Sequence, residues 1–319
     1  MKEKSLILKY WPQYKWSNVF AMIKNSFKEP EKCYEDFNGL VVITGATSGI
    51  GYYTARKYAS HGAKVLAINR DVEKSKKLCE ELRNTFGSDF DYIIADLSKL
   101  DDMHRVGKAL SDLSENIDVL IHNAGVYLQR KIITVDGIEM TFAVNYLASF
   151  VITYLLRKKL VAQKSGRIIF VNSEAYRFAA WGLRLDDINW EKRKYSGLKA
   201  YGHSKLAQLL SMIIFCDYLK NTGITINAMH PGMVRTGTGK ENGFTYRWFK
   251  KNIIDRMSKS PEISAEALYY LGVSDKVKDI SCKFFNLTTL EEPAPPAKDR
   301  EEAQKLWDLS LKLGRIDET

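Results

Sequence analysis

Cysteine is scarce in this chain of 319 residues: Cys33, Cys79, Cys216 and Cys282 stand far apart, with no CxxC pair and no Cys/His pair at zinc spacing. Scattered thiols of this kind predict four reduced cysteines in a cytoplasmic protein. The five histidines (His61, His104, His122, His203 and His230) are equally dispersed, and no HExxH-type motif occurs, so no metal site is expected. Seven prolines and 20 glycines exclude a fibrous or collagen-like chain. Long apolar runs are missing too. The longest early run is Val19-Phe20-Ala21-Met22-Ile23, far short of the ~18–20 residues that span a bilayer. Charges and Pro12 interrupt the N-terminal MKEKSLILKYWPQYKW where a secretory signal needs an apolar core. The expectation is a soluble or peripheral protein.

What is present is a globular composition, 45% hydrophobic and 27% charged, too apolar for a disordered chain. The length allows one large or two ordinary domains. Forty-eight Lys+Arg against 38 Asp+Glu leave a net charge of +10. That excess admits nucleic acid, an anionic membrane surface or an anionic small molecule as partner.

From Gly39 onward, short β-branched runs alternate with helical patterns. GLVVIT (39–44), KVLAIN (64–69), FDYIIA (90–95), IDVLIH (117–122), GRIIFV (166–171), ITINAM (224–229) and CKFFNL (282–287) read as strands covered on both faces. Helix-length segments lie at 49–61, 71–85, 100–114, 136–160 and 199–220, with a last helix after the break at Glu292–Ala297. Alternation of this kind predicts βαβ units and a doubly wound parallel sheet. Residues 1–38 form an extension and 39–319 a single domain. The segment 236–261 falls outside the rhythm.

The first strand ends in Thr44-Gly45-Ala46-Thr47-Ser48-Gly49-Ile50-Gly51. Gly45 allows a sharp turn, Gly49 a close approach to a pyrophosphate, and Gly51 close helix–strand packing. The following helix N-terminus offers free N–H groups to phosphates. Gly45, Thr47, Ser48, Gly49, Ile50 and Gly51 are therefore candidate cofactor residues.

This TGxxxGxG spacing resembles the loop of short-chain dehydrogenases/reductases, and the resemblance extends over residues 39–315. It implies a Rossmann fold whose seven-stranded parallel sheet runs in the order 3-2-1-4-5-6-7. At the end of the second strand, Asn69 stands where an NAD-binding site places a carboxylate, and Arg70 follows. A guanidinium there can hold a 2′-phosphate, so NADPH is expected over NADH. The family pattern assigns Asp96 and Leu97 to the adenine side. It also matches His122-Asn123-Ala124-Gly125 to an NNAG element, so Asn123, Ala124 and Gly125 line the adenosine ribose. His122 departs from the pattern and reads as a packed core residue.

Tyr201-Gly202-His203-Ser204-Lys205 puts Tyr201 and Lys205 one turn apart on one helix face. A nearby ammonium and an oxidised nicotinamide would lower the phenol pKa. In the family such a tyrosine donates the proton and the lysine binds the nicotinamide ribose. Ser173 matches the serine that holds the substrate carbonyl, and Asn145 the asparagine that anchors a relay water. Pro231, Gly232, Val234 and Thr236 match the PG…T element beside the nicotinamide. The stretch 195–206 looks most like retinol dehydrogenases and the related WW-domain oxidoreductases, although no WW domain precedes the core.

The resemblance implies an oxidoreductase interconverting an aldehyde or ketone and its alcohol. Aromatics in the 244–251 loop point to a lipophilic carbonyl such as a retinoid, steroid or long-chain aldehyde; ordinary helix packing is an equal reading of that loop. An NADPH-sensing binding protein with little turnover is the alternative. Nucleic acid is not expected, because only residues 8–16 and 244–251 interleave basic and aromatic side chains. The extension suits docking on the core or peripheral membrane contact, as does the loop, and oligomeric state stays open.

Overall fold

The computed structural model describes residues 7–25, 28–232 and 260–317. Seven strands, β1 (Leu40–Thr44), β2 (Lys64–Asn69), β3 (Phe90–Ile94), β4 (Val119–His122), β5 (Gly166–Val171), β6 (Ile224–His230) and β7 (Phe284–Asn286), run parallel in the order β3-β2-β1-β4-β5-β6-β7. This is the expected topology with one correction. An eighth strand, β8 (Thr289–Glu291), pairs antiparallel with β7 and extends the sheet. Leu287, at φ 53°, turns the chain back within two residues. The one buried side chain of β8 is a glutamate, so no apolar run marks this strand in the sequence.

Among the described residues the helices are α1 (Trp16–Asn25), α2 (Gly49–Ala59), α3 (Val72–Phe86), α4 (Leu100–Ser111), α5 (Met140–Gln163), α6 (Gly197–Tyr218), α7 (Glu262–Val273) and α8 (Arg300–Leu313). Successive strand residues point to opposite faces, so the sheet carries two cores. Val41, Ile43, Val119 and Ile121 pack with Ala55, Leu78, Leu82 and Leu268 of α2, α3 and α7. Val42, Leu120, Ile168 and Ile226 pack with Met103, Phe150, Leu206 and Trp307 of α4, α5, α6 and α8. Each such fully buried aliphatic side chain stabilises the fold by about 1.5–3 kcal/mol.

Helix α5 is long and apolar enough to cross a membrane, but 78% of its apolar window is buried inside this fold. Core packing accounts for that composition. α8 covers α5 and α6 from outside: the Trp307 ring centroid lies 4.8 Å from Phe215, 4.9 Å from Phe150 and 5.2 Å from Tyr218.

The described part of the extension lies on the core. Tyr10 donates to Asp299 at 2.7 Å, and Lys9 pairs with the same carboxylate at 2.5 Å. Tyr14 donates to the Ala180 carbonyl at 3.0 Å, and Asn25 donates to Glu291 at 3.2 Å. Farther on, Tyr269 donates to the Glu35 carbonyl and Tyr270 to the Glu31 carboxylate. Leu8, Trp11 and Phe20 stay exposed.

The expectation of four reduced thiols is overturned for one pair. Cys216, near the end of α6, and Cys282, just before β7, are joined in a disulfide with their Cα atoms 5.9 Å apart. They are 66 residues apart in sequence and meet only through the β6 crossover. Cys33 and Cys79 are free and buried.

Candidate active site

The glycine loop leaves the C-terminal end of β1 with Gly45 (φ 72°) and Gly49 (φ 56°) in left-handed conformations. Thr44 accepts the Asn123 and Ala124 N–H groups on its hydroxyl, both at 2.9 Å. The Asn123 amide donates to the Thr44 and Gly45 carbonyls, each at 3.0 Å. A Cβ on Gly51 would stand 2.2 Å from the Gly45 carbonyl oxygen, so α2 packs at a distance only glycine permits. Exposed Ser48 caps α2 through its backbone position without a side-chain capping bond, which leaves the first-turn N–H groups to a ligand. Thr47 is half-buried and Ile50 buried.

Asn69 is 2% exposed and accepts the Ala46 N–H at 2.8 Å, tying the end of β2 to the loop. Its Nδ2 is buried with no partner among the described residues. An orphaned donor beside a loop of free N–H groups fits an acceptor-rich dinucleotide. Arg70 is exposed and makes no ion pair among the described residues. The Asp71 carboxylate caps α3 through the Lys74 N–H. Asp96 accepts from the Ser98 N–H and hydroxyl, forming a local turn rather than capping α4; Asp136 accepts the Leu100 N–H instead. Leu97 turns its side chain into the α4–α5 core. Gly125 is exposed, and its missing side chain faces the Asn145 amide.

Tyr201 and Lys205 share one face of α6, and the lysine Nζ lies 5.7 Å from the tyrosine ring centroid. Ser173, just past β5, accepts the Ala175 N–H at 3.1 Å, and its hydroxyl exerts a lowering pull on the Tyr201 phenol. Lys205 donates to the Val171 carbonyl at 2.7 Å and to Gln208 at 3.3 Å. Asn145 sits in a π turn, Ala143–Leu147, where the Ala148 N–H reaches back five residues to Ala143. The extra residue in such a turn displaces one carbonyl from the helical ladder. The Asn145 side chain clamps Val126, accepting its N–H at 2.7 Å and donating to its carbonyl at 3.0 Å. At the end of β6, Pro231 accepts from Ser264, and Gly232 adopts φ 76°. Val234 and Thr236 lie outside the described residues. So does the 236–261 segment up to residue 259, including the 244–251 loop.

The electrostatics correct one expectation. Burial pushes the Tyr201 phenol up to about 12, against the lowering pull of Ser173. Lys205, 3% exposed, is pushed down to about 7 by burial. Desolvation therefore outweighs the lowering pull of Ser173 on the phenol. This has a consequence for stability. Between about 7 and its ordinary 10.5, Lys205 is more protonated unfolded than folded, so its contribution stabilises the fold as pH rises. The buried thiols of Cys33 and Cys79, raised from 9.0, oppose that trend above their ordinary value. Cofactor-free protein is expected to gain Tm from pH 7 toward pH 9. Lys205→Met should flatten that rise, and a rise unchanged in the variant would refute the assignment. His122, pushed down to about 3 by burial, shares a hydrogen bond with Thr153 at 2.9 Å, as a core residue would.

Three contributors escaped the sequence reading. Tyr127 meets the Tyr201 ring edge-on, with centroids 5.8 Å apart. Gly202 lets α6 approach the segment after Ser173: a Cβ there would stand 2.7 Å from the Ala175 carbonyl oxygen. A glycine inside a helix costs about 1 kcal/mol, which marks a packing requirement. Thr44, the third contributor, opens the TGxxxGxG pattern, but the pattern does not reveal that its hydroxyl accepts the Asn123 and Ala124 N–H groups.

Residues 39–183 match the family described as short chain dehydrogenase. Retinol dehydrogenase 13 of Homo sapiens is 36% identical over 278 residues, 86% of this chain and 83% of that protein. Retinol dehydrogenase 14 of Mus musculus is 32% identical, covering 85% and 84%. Among solved structures, an uncharacterised protein from Mycobacterium paratuberculosis superposes with a TM-score of 0.69 at 28% identity, covering 92% of this chain and 97% of that one. A short-chain dehydrogenase from Sphingobium yanoikuyae in complex with NADPH shares the fold at a TM-score of 0.62 and 22% identity, over 88% and 97% of the two chains. Together with the glycine loop and the α6 tyrosine–lysine pair, these similarities make the chain a member of the short-chain dehydrogenase/reductase family of oxidoreductases, with retinol dehydrogenases among its relatives.

Proposed function

We propose that the protein reduces an aldehyde or ketone with NADPH, or oxidises the corresponding alcohol in reverse, and that its substrate is lipophilic, such as a retinoid, a steroid or a long-chain aldehyde. The observation that carries this reading is the Tyr201–Lys205 pair on one face of α6, with the Ser173 hydroxyl acting on the phenol. The bound nicotinamide supplies the hydride. Ser173 and Tyr201 hold the carbonyl oxygen between two hydroxyls and stabilise the charge that develops there. Tyr201 donates its proton to that oxygen. Lys205 supplies an ammonium beside the phenol and holds the nicotinamide ribose. Asn145 orders the wall of the cleft through Val126 and anchors the water that relays protons to Lys205. Residues 39–319 act as one catalytic unit, with 1–38 as an appended segment.

Gly45, Thr47, Ser48, Gly49, Ile50 and Gly51 cradle the pyrophosphate. Asp96, Leu97, Asn123, Ala124 and Gly125 line the adenosine, and Pro231, Gly232, Val234 and Thr236 flank the nicotinamide. Asn69 and Arg70 take the 2′-phosphate: a neutral amide repels no anion, and a free guanidinium adds charge-assisted hydrogen bonds. Oxidation of NADPH and NADH with aromatic, aliphatic, retinoid and steroid carbonyls tests cofactor and substrate together. NADPH should be preferred. Arg70→Ala should lower kcat/KM for NADPH by about 10–100-fold, with little change for NADH. An unchanged NADPH/NADH ratio would remove the NADPH assignment.

A further inference from the structure

A buried charged cluster lies behind Ser173 and has no part in the roles above. Glu174 follows the serine and opens the 3-10 segment Glu174–Ala179. Arg177, three residues on, pairs with Glu174 and, at 3.1 Å, with Glu291 of β8. The Glu291 side chain is only 2% exposed. Its second oxygen accepts from Asn286 of β7 and Asn25 of α1, both at 3.2 Å. From β6, His230 accepts the Glu174 N–H on Nδ1 at 3.3 Å and so is held as a neutral ring. Tyr176 completes the enclosure: its ring lies 5.0 Å from the Arg177 guanidinium, and its hydroxyl accepts the Ala294 N–H. From the N-terminal segment, the Tyr14 phenol feels the Arg177 charge, which opposes the rise that burial imposes on it.

Two carboxylates facing one guanidinium would leave a buried net charge of −1. Burial, with Glu291 adjacent, pushes Glu174 up despite the pull of Arg177, so the cluster is neutral when it holds one proton. Buried ionic clusters are expensive, and well-packed apolar residues often serve stability as well or better. What this one does supply is direction. The orientation of Ser173 depends on the turn that begins at Glu174, and Arg177 ties that turn to the far edge of the sheet.

We propose that Glu291 and Arg177 are positioning residues for the carbonyl chemistry at Ser173, and that Asn25 of α1 holds Glu291 in that role. This rests on the carbonyl-reductase reading above. It makes the N-terminal helix part of the support of the active site, although α1 touches none of the reacting groups.

The test compares full-length wild type with Glu291→Ala, Glu291→Gln and Asn25→Ala. It measures NADPH affinity by cofactor fluorescence, and kcat for the best carbonyl of the panel across about pH 6 to 9. Glu291→Ala should lower kcat by about tenfold and Asn25→Ala by about threefold, with NADPH affinity unchanged, because the serine is misaligned while the cofactor loop is intact. Glu291→Gln keeps an acceptor for Arg177 and should restore most of kcat at neutral pH. It also leaves one carboxylate for one guanidinium, so it should lose the part of the alkaline decline that wild type owes to ionisation of Glu174. Lys205 titrates in the same range in both proteins, so the difference between the two profiles carries the assignment. Variants that lose Tm but keep wild-type kcat and pH profile would show that the cluster is structural only, and overturn the proposal. A wild type that binds NADPH and reduces no carbonyl would instead overturn the functional reading, and this proposal with it.

Discussion

Tyr201→Phe is expected to lower carbonyl reduction by about 10²–10⁴-fold while leaving NADPH affinity unchanged. The substitution removes one oxygen. The ring stays wedged against Tyr127 at 5.8 Å, and α6 keeps its approach to the Ala175 segment through Gly202. Ser173 remains, so one hydrogen bond to the carbonyl oxygen survives, but no proton can follow it. With the phenol pushed up to about 12, Tyr201 is protonated throughout the physiological range and ready to act as an acid. The reverse oxidation needs the phenolate, so its kcat should climb with pH in wild type. Steady-state kinetics in both directions read these effects. Near wild-type reduction by Tyr201→Phe would show that the proton comes from elsewhere.

Gly51→Ala is expected to weaken NADPH binding by about 5–150-fold, the affinity equivalent of a ~1–3 kcal/mol packing clash. The new methyl would stand 2.2 Å from the Gly45 carbonyl oxygen and 2.5 Å from the Asn123 amide. Neither neighbour can move cheaply. The first is backbone, and the second already donates to two carbonyls at the end of β1. α2 must retreat, and its N-terminus leaves the phosphate position. Gly87→Ala is the control. It has nothing within 4 Å but a φ of +63°, so it should cost about 1–2 kcal/mol of stability without touching the cofactor. Titration of both variants with NADPH, alongside thermal unfolding, separates a loop defect from general destabilisation. Equal affinities would refute the loop argument.

The parallel strands were legible because both faces of the sheet are covered, so Val41, Val42 and Ile43 form a continuous apolar run. The same logic fails for Thr289-Leu290-Glu291. That edge strand is three residues long, and its one fully enclosed side chain is a glutamate. The tyrosine and lysine of α6 were found by spacing, but spacing carries no information about dielectric. The direction of the Tyr201 shift depends on how much protein surrounds the phenol, and burial prevailed over the pull of Ser173. The Cys216–Cys282 bond was invisible for a related reason: a separation of 66 residues says nothing until the crossover is folded. The Glu174–Arg177–Glu291 cluster has partners in three distant parts of the chain, and no local motif announces it.

The clasp between the two ends of the chain bears on the order in which the protein can be made. Tyr10 and its acceptor Asp299 are separated by 289 residues. At ~5–20 residues per second, roughly 15–60 s pass between their synthesis. Through that interval the central strands and α2 to α6 can already assemble, while Lys9, Tyr10 and Asn25 have no acceptor to find. The extension is thus made before the acceptors it docks on and is among the last segments to be seated. A ribosome stalled before residue 291 would carry a nearly complete sheet with its leading helix still undocked.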